Sequence, residues 1–526
     1  MHKYPPFFAL RACGRLIDGN CVKPIYIRHI KCIPMRLPFL LVILLITLVG
    51  SAQTIALHPR NPHYFIYKGK PTVLITSAEH YGAVMNSDID YVKYLDVLKK
   101  HKFNLTRAFV GSYCEGETLD FDPGEIHPWA ENQNTLGIRP GKLLAPWARS
   151  DQPGYKNGGN KFDLDKWDEN YFRRLKDFCT QAAARGIVVE IVFFSANYGT
   201  ATWKNSPLYF GNNINLKDSV PYNEIFLPKH EALIKRQLDM VRKIVAELNV
   251  HDNVYYELCN EPYWLKGIPE VEPEIKTQQF PPEVEAWQQL IARAVVETES
   301  KLPKKHLIAQ NFANVYLRIE NPFDAVSVYN FHYAYPPRSV MDNYQFSKVV
   351  AYDETSRGSN APEKRQEAWA FLLAGGAVYN NLDFSFATDD VTGLGRNAYG
   401  TRRSGKEVRD QLQVLIGEIN SFDFVHSKPV DTLFAGKLPA HLRVYGLGLE
   451  GKDYLAYFTK DSTVNFRQAS FVVPAGTYQL QWIDPLDGKT IGEQRLTASS
   501  SGLKADLPEF SDDLVVRIKS TGKKAK

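Results

Sequence analysis

Val254-Tyr255-Tyr256-Glu257-Leu258-Cys259-Asn260-Glu261-Pro262 reads as a short apolar strand that ends where proline, lacking an N–H, can no longer feed a ladder. Glu261 is left at its carboxyl tip. Working outward, comparable runs occur at 72–77, 104–110, 187–194, 306–310, 325–331, 348–353 and 377–384, which with 253–259 makes eight. Helical patterns separate several of them, at 171–185, 231–247, 284–301 and 365–374. Eight buried-type strands alternating with helices predict an α/β fold, a closed (β/α)8 TIM barrel. An open doubly wound sheet would need a glycine-rich turn after its first strand, where Ser77-Ala78-Glu79-His80-Tyr81-Gly82 stands instead. In a closed barrel the chemistry belongs at the carboxyl ends of the strands, which is where Glu261 lies.

The flanks differ from this pattern. Beyond Pro429 the chain turns to short alternating strands at 441–445, 454–458 and 478–482, predicting a small antiparallel β-sandwich over 428–526 after a barrel domain at 53–427. Residues 1–52 read as an N-terminal extension and signal peptide. The apolar run at 37–49 follows Arg36, precedes Gly50-Ser51-Ala52 and is shorter than the roughly 20 residues of a membrane span. Met35 is the expected true start. Cys13, Cys21 and Cys32 then fall in the removed part, and Cys114, Cys179 and Cys259 are too few and too scattered for a disulfide framework. The expectation is a secreted or periplasmic product without stable membrane insertion. A net charge of +5 spread over 526 residues, with Lys523, Lys524 and Lys526 as the clearest basic cluster, is too dilute to argue for nucleic acid as a partner. Neither His-x-x-x-His nor Cys-x-x-Cys occurs, so no metal and no cofactor are expected, and Gly-x-Ser-x-Gly is absent too.

The second signal is Val349-Val350-Ala351-Tyr352-Asp353-Glu354, an apolar strand ending in acid at the seventh barrel position. Strands four and seven face one another across a barrel mouth. Two carboxyl groups converging there can flank one scissile glycosidic bond, one protonated to release the leaving oxygen and one ionised to attack or stabilise the sugar cation. Adjacent strand residues point to opposite faces, so one of Asp353 and Glu354 is expected to enter the mouth; Glu354 is favoured as nearer the tip. Glu257 lies deeper than Glu261 and reads as the buried partner of an arginine.

With Glu-Leu-Cys-Asn-Glu-Pro at 257–262 and the strand-end Glu354, the stretch 60–425 resembles the clan A glycoside hydrolases, and within them the cellulase-like enzymes around family 5. The resemblance implies a retaining glycosidase acting on a polysaccharide or oligosaccharide, with Glu261 as acid/base, Glu354 as nucleophile and Asn260 binding the sugar 2-hydroxyl. It also implies that Arg107, in Asn104-Leu105-Thr106-Arg107, supports the nucleophile. His332, in Asn330-Phe331-His332-Tyr333, would serve the sugar site. The chain departs from the family's His-x-Tyr spacing, since Ala334 takes the third place and leaves Tyr333 or Tyr335 to substitute. It also has Ser195-Ala196-Asn197-Tyr198 where the family often has a histidine after strand three, and Asn381-Leu382-Asp383-Phe384 where a strand-eight tryptophan is common. His80 and Trp264 are further candidates for contact with sugar, with hydrogen bonding and loop packing as their structural alternatives. The long insertion at 112–162, which carries Glu115, Glu117, Trp129 and Trp147, favours a pocket and exo action. A transglycosylase using the same glutamates, and a non-catalytic carbohydrate-binding surface protein, are the alternatives.

Overall fold

Strands whose residues are all buried need cover on both faces, and the apolar runs obtain it from an outer layer of helices. The computed structural model describes residues 54–115, 119–122, 125–127, 135–263, 281–355, 361–394, 405–430, 433–434, 438–460 and 466–522. The barrel strands are β1 (Leu74–Ala78), β2 (Leu105–Phe109), β3 (Val188–Val192), β4 (Val254–Glu257), β5 (Ile308–Asn314), β6 (Val328–His332), β7 (Val349–Glu354) and β8 (Val378–Leu382). They pair in the order β1-β8-β7-β6-β5-β4-β3-β2, every neighbouring pair parallel.

The ring is nearly closed. Between β1 and β2 the ladder is replaced by the side chain of Asn104, whose amide donates to the Val73 carbonyl and whose oxygen accepts from the Ile75 N–H, each at 2.8 Å. Two backbone bonds, Asn104 N–H to Ile75 O and Phe109 N–H to Tyr81 O, complete the seam.

The principal helices are α1 (Tyr91–Lys100), α2 (Glu169–Ala184), α3 (Glu231–Leu248), α4 (Pro282–Ser300), α5 (Ala361–Leu373) and α6 (Lys406–Ser421). Helix α3 lays one stripe on the barrel, with Leu233, Ile234, Met240, Val241, Ile244, Val245 and Leu248. Asp90 and Asp168 cap α1 and α2 by accepting backbone N–H bonds in their first turns. Within the insertion a two-stranded hairpin joins Trp147–Pro153 to Asn160–Trp167.

The C-terminal strands are β9 (Lys428–Pro429), β10 (Leu442–Leu449), β11 (Asp453–Lys460), β12 (Gln468–Phe471), β13 (Gly476–Ile483), β14 (Thr490–Ala498), β15 (Leu503–Asp506) and β16 (Asp513–Ser520). Six form an antiparallel sheet in the order β9-β10-β11-β16-β13-β14, and β12 pairs with β15. Phe458, Phe471, Trp482 and Leu503 share a core between the two sheets. Tyr457 and Val515 instead join the barrel's core, where Trp369 of α5 stacks on Tyr457 at 5.5 Å. Among the described residues no helix is long and apolar enough to cross a membrane. The run at 37–49 lies outside them.

Candidate active site

Glu261 follows β4 in a left-handed conformation, φ 49°, its N–H held at 2.9 Å by the Asn311 side chain. Tyr333 after β6 (φ 52°) and Tyr81 after β1 (φ 63°) share that unusual backbone. Each such residue costs about 1–3 kcal/mol, and such costs collect where function fixes geometry. All three side chains meet at one spot. Tyr333 and Tyr81 donate their hydroxyls to the two oxygens of Glu354, at 2.7 and 3.0 Å. His332 Nδ1 stands 2.9 Å from Glu261 Oε1 and 3.8 Å from Glu354 Oε1, and Tyr198 donates to Glu261 Oε2 at 2.6 Å.

The donor atoms of Glu261, His332 and Glu354 all lie within 4.8 Å of one another, and the three residues are buried. Their chemistry would suit a cation, as would that of Glu190, Glu257 and Asp353, grouped as tightly below them. In the lower group Arg107 already supplies positive charge. Its Nη2 is 2.5 Å from Glu257 and 3.5 Å from Asp353, and its Nε is 4.0 Å from Glu190.

Arg107 also reaches upward, with Nη1 3.6 Å from Glu354 and its guanidinium 4.5 Å above the Tyr81 ring. Its firmest bonds nonetheless go to Glu257 and to the Asn260 side-chain oxygen at 2.9 Å. Burial alone would push the Glu354 carboxyl upward. The nearby His332, Arg107 and His80 charges and the Tyr333 hydroxyl overcome it, bringing the pKa down to about 2. His332 is raised well above the usual histidine range, because the charges of Glu354 and Asp353, with the hydrogen bond to Glu261, outweigh burial.

Asn260 continues the β3–β4 pairing through its bridge to Ser195, and its amide donates to Ser195 Oγ and to the Tyr198 hydroxyl at 3.1 and 3.0 Å. His80 is buried edge-on against Tyr81 and Phe384. Tyr81 is placed by Glu79, whose carboxylate accepts the Gly82 and Ala83 N–H groups. Gly82 has no room for a side chain: a Cβ there would lie 2.2 Å from the Thr135 carbonyl. Trp264 lies outside the described residues.

Strict alternation fails at the end of β7, and the reading that only one of Asp353 and Glu354 turns inward is corrected accordingly. Phe331 pairs with Tyr352 but His332 pairs with Glu354, so β7 carries an extra residue there. Asp353 keeps the inward parity of Ala351, bonding the Asn330 amide at 2.9 Å and facing His332 at 3.6 Å, while the slip turns Glu354 inward as well. Glu190 is a participant not singled out from sequence. For Glu190 a signal existed, an acid amid Val188-Val189-Glu190-Ile191-Val192 in register with Arg107.

No family model matches the chain, and no curated protein matches it. Solved structures do. One described as a glycoside hydrolase aligns over 90% of this chain and 98% of its own, at 12% identity and a TM-score of 0.57. A glycoside hydrolase family 5 structure from Bacteroides vulgatus aligns over 89% and 94%, at 13% identity and a TM-score of 0.56. At such identities the likeness is one of fold: the chain has the barrel architecture of these glycoside hydrolases.

Proposed function

We propose that this chain, built on the barrel of the glycoside hydrolases, hydrolyses O-glycosidic bonds in a polysaccharide or oligosaccharide with retention of configuration. The observation that carries the reading is the convergence of Glu261 and Glu354, from strands three places apart in the ring, to oxygens within 4.8 Å. That spacing favours the retaining separation of about 5–5.5 Å over the inverting 6.5–9.5 Å.

In this mechanism Glu354, kept ionised by His332, Arg107 and Tyr333, attacks the anomeric carbon. Glu261 gives its proton to the departing oxygen as the C–O bond breaks. The sugar is then esterified to Glu354. Glu261, now a carboxylate, takes a proton from water, whose oxygen attacks the same carbon and frees Glu354. His332 and Tyr198 share hydrogen bonds with Glu261 and orient it for both steps. Asn260 and His80 are assigned to sugar contact, and Tyr333 to the nucleophile. Export to the periplasm or the medium belongs to the same proposal.

Glu354→Ala, assayed on aryl glycosides with added azide, tests it. Expected is loss of hydrolysis and rescue by azide to a glycosyl azide of inverted configuration. Undiminished turnover would remove Glu354 from the reaction.

A further inference from the structure

Beneath Glu261 and Glu354 the barrel interior holds a second layer of charge that the proposed reaction does not use. Glu190 of β3, Glu257 of β4 and Asp353 of β7 are fully buried. Together with Glu261 and Glu354 they make five carboxyl groups facing three side chains able to carry positive charge, Arg107, His332 and, beside Glu354, His80. A buried carboxylate without a cation sheds its charge by keeping a proton. One such proton belongs in the lower layer.

The three lower groups are not equally served. Glu257 accepts two bonds from Arg107, at 2.8 and 2.5 Å. Asp353 faces the Asn330 amide, Arg107 and His332. Glu190 has the Asn330 amide at 2.7 Å on Oε1 and Arg107 only at 4.0 Å, while its buried Oε2 makes no formed hydrogen bond.

We propose that Glu190 is held as a neutral acid and acts as a positioning residue, leaving the charge of Arg107 to Glu257 and Glu354. What it positions rests on the glycosidase reading; its protonation does not. The groups facing it are Arg107 of β2, Tyr255 and Glu257 of β4, Asn330 of β6 and Asp353 of β7. Burial, Glu257 and Asp353 drive its carboxyl well above the usual range, and Arg107 and Asn330 offset only part of this.

The sign of the pH effect follows. A carboxyl raised in the folded state stabilises fully below its unfolded value, about 4.3, and loses that contribution as pH rises through the folded value. Glu190→Gln fixes the neutral form. The full-length variant is expected to fold, to melt within about 2 °C of the parent near pH 5, and to melt above it near pH 9. Its infrared spectrum at neutral pH should lack one protonated-carboxyl carbonyl band that the parent shows.

A variant that fails to fold, melts lower throughout, or keeps that band overturns the protonation. These readouts contain no turnover, so they stand or fall apart from the glycosidase reading. Under that reading the alkaline limb of kcat moves upward in the variant, and an unmoved limb would remove the positioning role.

Discussion

Two buried clusters of charge follow opposite rules. Where α5 meets the C-terminal sheet, Arg365 forms a two-pronged pair with Asp513, both bonds 2.8 Å, while Tyr457 donates to the same carboxylate and Gln411 receives the remaining Arg365 nitrogen. One cation meets one anion. At the barrel mouth five carboxyl groups share Arg107, His332 and His80, and Glu190 Oε2, Glu257 Oε1, Asp353 Oδ1, Arg107 Nη1 and His332 Nε2 are buried without a hydrogen bond. A balanced pair holds two parts of a chain together. An unbalanced cluster holds protons ready to move, and its imbalance marks the reactive centre better than any one residue does.

Substitutions can break or sharpen this contrast. Glu354→Ala should cost activity by at least about 10⁴-fold, and turnover that survives in the folded variant would place this cluster with the structural kind. Asp513→Ala should do the reverse. About 3–5 kcal/mol of stability should vanish in urea titrations, since Arg365 is left buried and unpaired, with turnover per folded molecule little changed.

Tyr333→Phe removes one donor to Glu354 and should lower kcat roughly 10- to 100-fold. With its carboxyl held near 2, Glu354 stays ionised until pH falls through that value, and the stability it contributes is lost over the same acid range. Without Tyr333 the acid limb of kcat/KM should therefore move upward in pH, and an unmoved limb would detach Tyr333 from the nucleophile. Arg365→Lys, which keeps charge but loses the fork, should cost only about 1 kcal/mol.

The barrel was legible because each strand is buried on both faces, so a plain apolar run marks it. The run at 187–194 became Val188–Val192 and that at 348–353 became Val349–Glu354. The strand-end glutamates were legible because proline after Glu261 and polar sequence after Glu354 punctuate their strands. The slip at Asp353 was not, since an extra residue leaves no mark in composition and depends on how β6 and β7 settle together. Tyr198 was visible in the loop after β3, where the resembling family often has a histidine, but its reach to Glu261 depends on how that loop folds. The hairpin from Trp147 to Trp167 was hidden by a polar, turn-rich insertion whose pairing is irregular in register.

The seam beside Asn104 has a consequence for how the ring comes apart. Seven of its joints are ladders that share load among several bonds, and the eighth hangs largely on one side-chain amide. Strands zipped on both sides resist fraying, so the first gap under heat or denaturant should run between β1 and β2. In hydrogen-exchange experiments the amide of Ile75 should then trade its proton sooner than that of Ile191, which sits mid-ladder on the far side of β2. Shortening Asn104 to alanine would turn this rivet into a slit and bring that opening forward, at the flank that carries both Tyr81 and Arg107.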